Sequence, residues 1–219
     1  MLIHELAWTD SPEAALAAVR DLPWPLLLDS QDAGRWDILV AAPRAHSWQT
    51  GDGWQHAHWP AADLAANADA FAVMQALQDW GGPELPRAEP AQKWPFVHGV
   101  MGCLGYASAS EHGLPMPRHD DWPLAILAYY DQGCVWDHEQ RRCFAWSLNA
   151  QTWPDWLARL QTATPSACQS LQLQTPFQAL TQQPRYAADI ARIHDFIRAG
   201  DCYQVNYTQA YEARCEGEL

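Results

Sequence analysis

The chain has 219 residues, which is enough for one large domain or for a medium domain with part of another. Hydrophobic residues make up 48% and charged residues 18%, a balance that excludes a disordered chain and permits a buried core. The net charge of −13 disfavours nonspecific binding of nucleic acid, because that binding needs clustered cations. Six cysteines without a CxxC pair, no secretory signal pattern and no apolar run of membrane-spanning length predict a cytoplasmic protein with reduced thiols and no membrane partner.

A helix and a β-hairpin are the first predicted elements. Ser11, Pro12 and Glu13 precede an alanine-rich stretch, and these residues favour a helix start through capping, a preset φ angle and the helix dipole. Residues 26–30 predict a buried strand, and residues 36–41 predict its hairpin partner across a turn.

The middle of the chain alternates helical and strand patterns. A helix is predicted over 61–80, with its apolar face formed by Leu64, Phe71, Val73, Met74, Leu77 and Trp80. Residues 96–106 predict a strand whose glycines permit close backbone approach. Strands at 124–130, 134–137 and 142–147 are predicted to form a meander, and 154–160 a short helix.

The last third contains a polar segment, a helix and a strand. Residues 161–184 are rich in Gln, Thr, Ser and Pro and predict a linker or an irregular crossing strand. A helical stripe begins at Arg185 and ends at Gly200 as its C-terminal cap. Residues 203–208 predict a strand that begins a new sheet. The fold class is therefore α+β, with antiparallel β-sheets packed against flanking helices.

This order of elements predicts a domain over 1–160, the connecting segment 161–184, and the start of a truncated second domain over 185–219. A sheet that opens at 203–208 without further strands would expose a hydrophobic strand edge. We therefore expect the chain to be the N-terminal portion of a longer protein.

Two polar places could bind a ligand. Ser30, Gly34, Arg35 and Trp36 gather a hydroxyl, a guanidinium and an indole beside an apolar strand, a set that suits an amino-acid-sized ligand as well as a purely structural hairpin. Gln204 and Asn206 share one face of the last predicted strand, where their amides could pair with buried backbone or with a ligand. No catalytic constellation and no metal site is predicted, since His56 and His58 have no evident third ligand.

Three ordered motifs resemble one enzyme family. They are residues 22–30 (LPWPLLLDS) with 34–43 (GRWDILVAAP), residues 96–106 (FVHGVMGCLGY), and residues 199–206 (AGDCYQVN). Together they resemble component I of aminodeoxychorismate synthase, in the superfamily that includes component I of anthranilate synthase. His98 departs from the family pattern, which has the first of two glycines there, and the turn between Ser30 and Arg35 is shorter than in the family.

The resemblance implies an enzyme of folate biosynthesis that aminates chorismate to 4-amino-4-deoxychorismate for 4-aminobenzoate. It also implies magnesium as cofactor of the full-length enzyme and ammonia from a glutamine amidotransferase subunit, component II. A lysine nucleophile and metal-binding glutamates belong to the family's C-terminal half. The single lysine of this chain, Lys93, matches no such motif, so we expect residues 1–219 alone to be inactive.

Family members also bind tryptophan in the N-terminal region, and the matching positions here are Ser30, Gly34, Arg35 and Trp36. Two alternatives stay open at this point. One is a fragment of anthranilate synthase component I, and the other is a noncatalytic module that binds an amino acid or docks an amidotransferase.

Overall fold

A computed structural model describes residues 1–31, 33–62, 64–65, 67–82, 91–106, 122–164 and 171–217. The chain divides into two compact units, Met1–Ser166 and Ala167–Leu219. The predicted bounds at 160 and 184 stay a prediction. Within the described residues, no helix is long and apolar enough to cross a membrane.

The first unit contains two antiparallel sheets and three helices. Its strands are β1 (Leu2–Leu6), β2 (Leu26–Leu28), β3 (Trp36–Val40), β4 (Ala45–Thr50), β5 (Gly53–Ala57), β6 (Gly99–Leu104), β7 (Ala125–Tyr130), β8 (Gln132–Asp137) and β9 (Arg142–Ser147). Its helices are α1 (Glu13–Val19), α2 (Ala70–Gly81) and α3 (Trp153–Gln161), with a 3-10 turn at Ala91–Lys93. One sheet has the order β1-β9-β8-β3-β2 and the other β5-β4-β7-β6.

The two sheets pack face to face, and helices cover their outer faces. Between the sheets lies an aromatic core that includes Trp94, Tyr130, Phe144 and Trp146. Helices α1 and α3 cover the five-stranded sheet around Trp136 and Trp156. Helix α2 covers the four-stranded sheet through Val73 and Leu77. This confirms the α+β class, and the large aromatic rings fill the space between the two sheets.

The predicted meander is confirmed between β8 and β9, which pair as a hairpin, and was wrong between β7 and β8, which belong to different sheets. β7 pairs with β4 and β6, whereas β8 pairs with β3 and β9. The chain crosses from one sheet to the other at Asp131, without the loop predicted at 131–133. Sequence patterns identify strands but not their partners, and the partners of β7, namely β4 and β6, lie far from it in sequence.

Helix α2 begins at Ala70 rather than at the predicted residue 61. Its cap is Asp69, whose Oδ1 accepts the N–H of Ala72 at 2.8 Å. The buried positions 70, 73 and 77 define its inner face, so Phe71 and Met74 are exposed, contrary to the predicted stripe. Before α1, the Ser11 hydroxyl accepts the N–H of Glu13 at 3.2 Å, while the cap position itself is occupied by Pro12, which makes no side-chain cap hydrogen bond.

At one position of β6, only glycine fits against the neighbouring strand. A Cβ at Gly102 would overlap the carbonyl oxygen of Ile126 on the neighbouring strand β7. The predicted role in close backbone approach is confirmed at this residue.

The second unit is built around helix α4 (Gln183–Ala199), which ends at Gly200 in the left-handed conformation. Short ladders join β10 (Gln172–Leu173) to β13 (Cys215–Glu216) and β11 (Gln178–Ala179) to β12 (Tyr211–Glu212). The predicted strand over 203–208 was wrong, since these residues have no strand partner in the described part of the chain. Instead, Tyr207 stacks on Tyr186 of α4 and donates its hydroxyl proton to Asp189 at 2.6 Å.

Candidate functional site

The hairpin end between β2 and β3 brings together the four residues predicted there. The Ser30 hydroxyl donates to the carbonyl oxygen of Gly34 at 3.3 Å, and the N–H of Ala33 donates to the carbonyl oxygen of Ser30 at 3.0 Å. A Cβ at Gly34 would lie 2.9 Å from Cβ of Ser30, so the turn needs a glycine for its two sides to meet. Arg35 and Trp36 follow directly, and Trp36 opens β3.

Arg35 binds protein carboxylates with both edges of its guanidinium. Its Nε and Nη2 donate to Oδ1 and Oδ2 of Asp137 at 3.1 and 2.7 Å, and Nη1 lies 2.8 Å from Oε2 of Glu139. The guanidinium carbon also lies 4.5 Å from the ring centroid of Trp36, within cation–π range. The hydrogen bond to Asp137 raises the pKa of Arg35. The guanidinium of the predicted ligand site is thus engaged mainly inside the protein.

A second buried carboxylate, Asp37, connects the hairpin to the β8–β9 turn. Its Oδ1 accepts the N–H of Ser30 at 2.8 Å, and its Oδ2 lies 2.6 Å from Nε2 of His138. Burial raises the pKa of Asp37, but hydrogen bonds from Ser30 and His138 outweigh burial, so the net pKa is lowered. The carboxylate is therefore held ionised in a nearly dry position.

Asp137 is the counterpart of Asp37 on the neighbouring strand. Burial raises its pKa, but the hydrogen bonds from Arg35 and from the N–H of Gln140 outweigh this and lower the pKa overall. Asp37 pairs with Trp136 in register, and Asp137 pairs with Trp36. Because paired residues point to the same face of a sheet, the two carboxylates lie on opposite faces and form two separate networks.

Sequence reasoning missed four residues of this cluster: Asp37, Asp137, His138 and Glu139. One usable signal was an aspartate inside each apolar strand pattern, at Trp36-Asp37-Ile38 and at Val135-Trp136-Asp137. A buried carboxylate needs a hydrogen-bond or ion-pair partner, and few Arg, Lys or His side chains lie near these strands in the sequence. The partners themselves could not be read from spacing, since Arg35 and Asp137 are 102 residues apart.

A serine–histidine pair occurs away from the hairpin, on strands β4 and β5. Ser47 Oγ lies 2.8 Å from Nδ1 of His56 and also accepts the indole N–H of Trp59 at 3.1 Å. Burial lowers the pKa of His56, which favours a neutral ring whose Nδ1 accepts the serine proton. Ser47 is fully buried, so the hydroxyl is closed to a substrate and the pair is structural.

The described residues do not offer a magnesium site. They contain no group of three or more His, Cys, Asp or Glu side chains that could hold a metal ion. Asp37 and Asp137, the buried carboxylates of the hairpin cluster, are each engaged by a cation or a histidine. Hard divalent cations need several free oxygen ligands converging on one point, and this arrangement supplies none.

Gln204 and Asn206 lie in the second unit, after helix α4. Both side chains are exposed, and Nε2 of Gln204 donates to Oδ1 of Asn206 at 3.3 Å. The two amides therefore lie side by side, although the strand on which they were predicted to share a face does not form. Their part in binding a ligand stays a prediction.

Comparison with known proteins identifies the family of this chain. A family model described as chorismate binding enzyme matches residues 25–219. The chain belongs to this family. Its fold is also similar to a solved structure, component I of anthranilate synthase from Streptococcus pneumoniae TIGR4, with a TM-score of 0.61 and 18% identity over 98% of this chain and 50% of that one.

Curated relatives of the chain include two kinds of protein. Aminodeoxychorismate synthase component 1 from Klebsiella aerogenes is 28% identical over 97% of this chain and 48% of its own length. The protein of the same name from Salmonella typhimurium (strain LT2) is 29% identical over 97% of this chain and 47% of its own length. An anthranilate synthase component I-like protein from Synechocystis is 20% identical over 93% of this chain. The chain thus spans about half the length of the curated relatives it matches.

Proposed function

We propose that residues 1–219 form one half of a chorismate-aminating enzyme of the aminodeoxychorismate synthase component 1 type. The observation that carries the proposal is the match of nearly the whole chain to relatives of that name at 28% and 29% identity. The lower identity to the anthranilate synthase component I-like protein supports the same choice. The reaction would replace the 4-hydroxyl of chorismate with an amino group, which supplies 4-aminobenzoate for folate.

The proposal includes a component II subunit that delivers ammonia, a magnesium ion bound by the complete enzyme, and a cytoplasmic location. Magnesium would supply charge neutralisation for the dianionic substrate. The described residues offer no ligand set for that ion, so the proposal assigns them no step through it. In this proposal, the described residues provide a rigid support for the substrate-binding half. The support consists of the two packed sheets with their aromatic core and of the polar side chains around the β2–β3 hairpin.

A product analysis tests the reaction. The complete reading frame that contains these residues is expressed and incubated with chorismate, ammonium and magnesium, and the products are separated by liquid chromatography with mass detection. We expect 4-amino-4-deoxychorismate. Anthranilate instead would establish the second candidate, anthranilate synthase component I, which the fold similarity also supports.

The chain by itself provides the matched control. Its single lysine, Lys93, is exposed at the end of a 3-10 turn and matches no catalytic motif of the family. We therefore expect residues 1–219 alone to give no product above the enzyme-free background. Product formation by this chain would show that the catalytic groups lie within it and would refute the proposed division of labour.

A tryptophan-like ligand at the hairpin remains part of the proposal. The hydroxyl of Ser30 and the outer edge of Arg35 are the groups that such a ligand would use, and it would have to compete with Glu139 for that edge. Titration of the protein with L-tryptophan by calorimetry tests this, with Ser30→Ala as the variant expected to weaken any binding. Unchanged heat of binding in Ser30→Ala would move the ligand elsewhere.

A further inference from the structure

A cavity beside helix α2 combines two indole rings with one carboxylate. It has a volume of about 360 Å³ and lies between the second half of α2 and the segment that follows β5. Its lining residues are Trp59, Pro60, Ala61, Ala62, Leu64, Ala76, Asp79 and Trp80. The volume falls at the small end of the range for ligand pockets.

Neighbouring side chains hold both indoles in place. The ring centroids of Trp59 and Trp80 are 6.4 Å apart and the planes are inclined by 58°, so the rings form two walls of a V. The indole N–H of Trp59 donates to Ser47 Oγ, and Trp80 meets Tyr129 edge to face at 6.2 Å. The aromatic walls are therefore set before any ligand arrives.

The lining residues of the cavity carry one negative charge, and a cation that contacts these walls, Arg44, stacks on Trp80 from outside the lining set. Asp79 is the charged member of the lining set, and its Oδ1 accepts the side-chain amide of Gln75 at 2.9 Å, which orients the carboxylate. The whole chain carries a net charge of −13, which raises the local concentration of cations. A negatively charged ligand would be repelled by Asp79 and by the net charge of the chain.

Trp80 already accepts a cation from the protein. The guanidinium carbon of Arg44, which lies outside the cavity, is 4.7 Å from its ring centroid. Aromatic walls with a carboxylate at their edge recognise organic ammonium groups, because the ring quadrupole and the carboxylate attract the same charge. We propose that this cavity binds a small organic ammonium ion, a function independent of the chorismate reaction.

Choline and its uncharged carbon analogue 3,3-dimethyl-1-butanol provide the test. They have nearly the same shape and differ in charge, so calorimetric titration of the whole chain separates cation recognition from apolar filling. We expect one-site binding of choline and an affinity for the neutral alcohol that is lower by about tenfold or more.

Three variants assign the binding to this cavity. Asp79→Asn keeps the acceptor for Gln75 but removes the charge, and we expect it to weaken choline binding by about tenfold. Ala76→Leu fills the cavity from α2 and should abolish binding. Asp52→Asn, in the exposed β4–β5 turn, makes the same change in net charge and should leave the affinity within about twofold.

Each remaining outcome overturns the proposal. Equal affinity for choline and the neutral alcohol would show an apolar pocket without cation recognition. Equal weakening by Asp52→Asn and Asp79→Asn would show general electrostatic attraction. Absence of saturable choline binding to a chain that melts cooperatively would show that the cavity is not a site for this class of ligand.

Discussion

The two units of the chain contrast sharply in how they bury apolar side chains. The first unit has three buried clusters, with Trp136, Trp146 and Trp156 almost fully inaccessible. In the second unit no described residue is buried, and Tyr203 is 95% exposed. Hydrophobic burial is the dominant favourable term in folding, so the first unit can stabilise itself and the second has little with which to offset its conformational entropy.

The contrast extends to polar interactions. In the first unit, Arg35 forms an ion pair with Asp137, whose side chain is 4% exposed. This pair connects the β2–β3 hairpin to the end of β8. In the second unit, Arg185 contacts Asp189 and Arg198 contacts Asp195 along the surface of α4. Exposed pairs of this kind contribute little, since solvent screens them. Short-range structure can therefore form in both units, but among the described residues only those of the first unit have the buried interactions that make unfolding cooperative.

Hydrogen exchange should show the largest difference between the units. Opening of β8, at the centre of the five-stranded sheet, requires loss of the aromatic core, whereas α4 can open with little loss of buried area. We expect backbone amides of Gln132–Asp137 to exchange on the order of a thousandfold or more slowly than those of Gln183–Ala199. Similar protection in both segments, measured by mass spectrometry, would remove the contrast.

Truncation of a core tryptophan should have the next largest effect. Trp146 is fully buried between the sheets, and its indole N–H donates to the carbonyl oxygen of Val97 at 2.6 Å. Trp146→Ala should lower the free energy of unfolding of the first unit by about 3–5 kcal/mol. The matched change Phe196→Ala, on α4, should cost less than about 1 kcal/mol because that ring is 42% exposed. Denaturant titrations compare the two, and equal costs would contradict the assignment of the core.

The buried ion pair should have an intermediate and pH-dependent effect. Asp137→Asn leaves Arg35 with the exposed Glu139, and we expect a loss of about 1–3 kcal/mol at pH 7. The folded-state pKa of Asp137 is lowered, so its stabilisation is present above the unfolded pKa near 3.8 and is lost as the pH falls through the folded pKa. The difference between wild type and variant should therefore shrink below about pH 4. A difference that stays constant down to pH 2 would show that charge is not its origin.

Glycine substitutions should have the smallest effect and should separate local from global unfolding. Gly82 and Gly200 both follow helices and have φ angles of 99° and 82°, with open space around a hypothetical Cβ. Each Ala variant should introduce strain of about 1–2 kcal/mol, with the larger value at Gly82, because its φ of 99° and ψ of 176° are readily adopted only by glycine. In Gly82→Ala this strain should lower the cooperative melting temperature. In Gly200→Ala it should appear as faster exchange at the end of α4 with an unchanged main transition.

Local signals predicted much of the element order. The strands that begin near residues 26, 36 and 142, the short helix after Trp153, and the glycine cap at 200 are all present. Local signals failed where tertiary contacts override them. The strand expected at 203–208 lacks a partner in the described residues, and the segment at 61–69 precedes α2 instead of extending it.

The candidate site was predicted only in part, for the same reason. Ser30, Gly34, Arg35 and Trp36 are neighbours in sequence, so their proximity followed from a hairpin turn. Asp137, His138 and Glu139 reach them through the pairing of β3 with β8. That pairing showed that the guanidinium is mainly an internal ion-pair partner.

The sequence by itself determined the periodic apolar patterns, the turn residues and the motifs of the chorismate-binding family. Each of these depends on residues that are close to each other in the chain. The tertiary structure decided which strands share a sheet. It placed β7 and β8 in different sheets on either side of Asp131, although they are adjacent in sequence. It also decided which charges are buried, since desolvation and ion pairing depend on contacts between residues such as Arg35 and Asp137 that lie 102 positions apart.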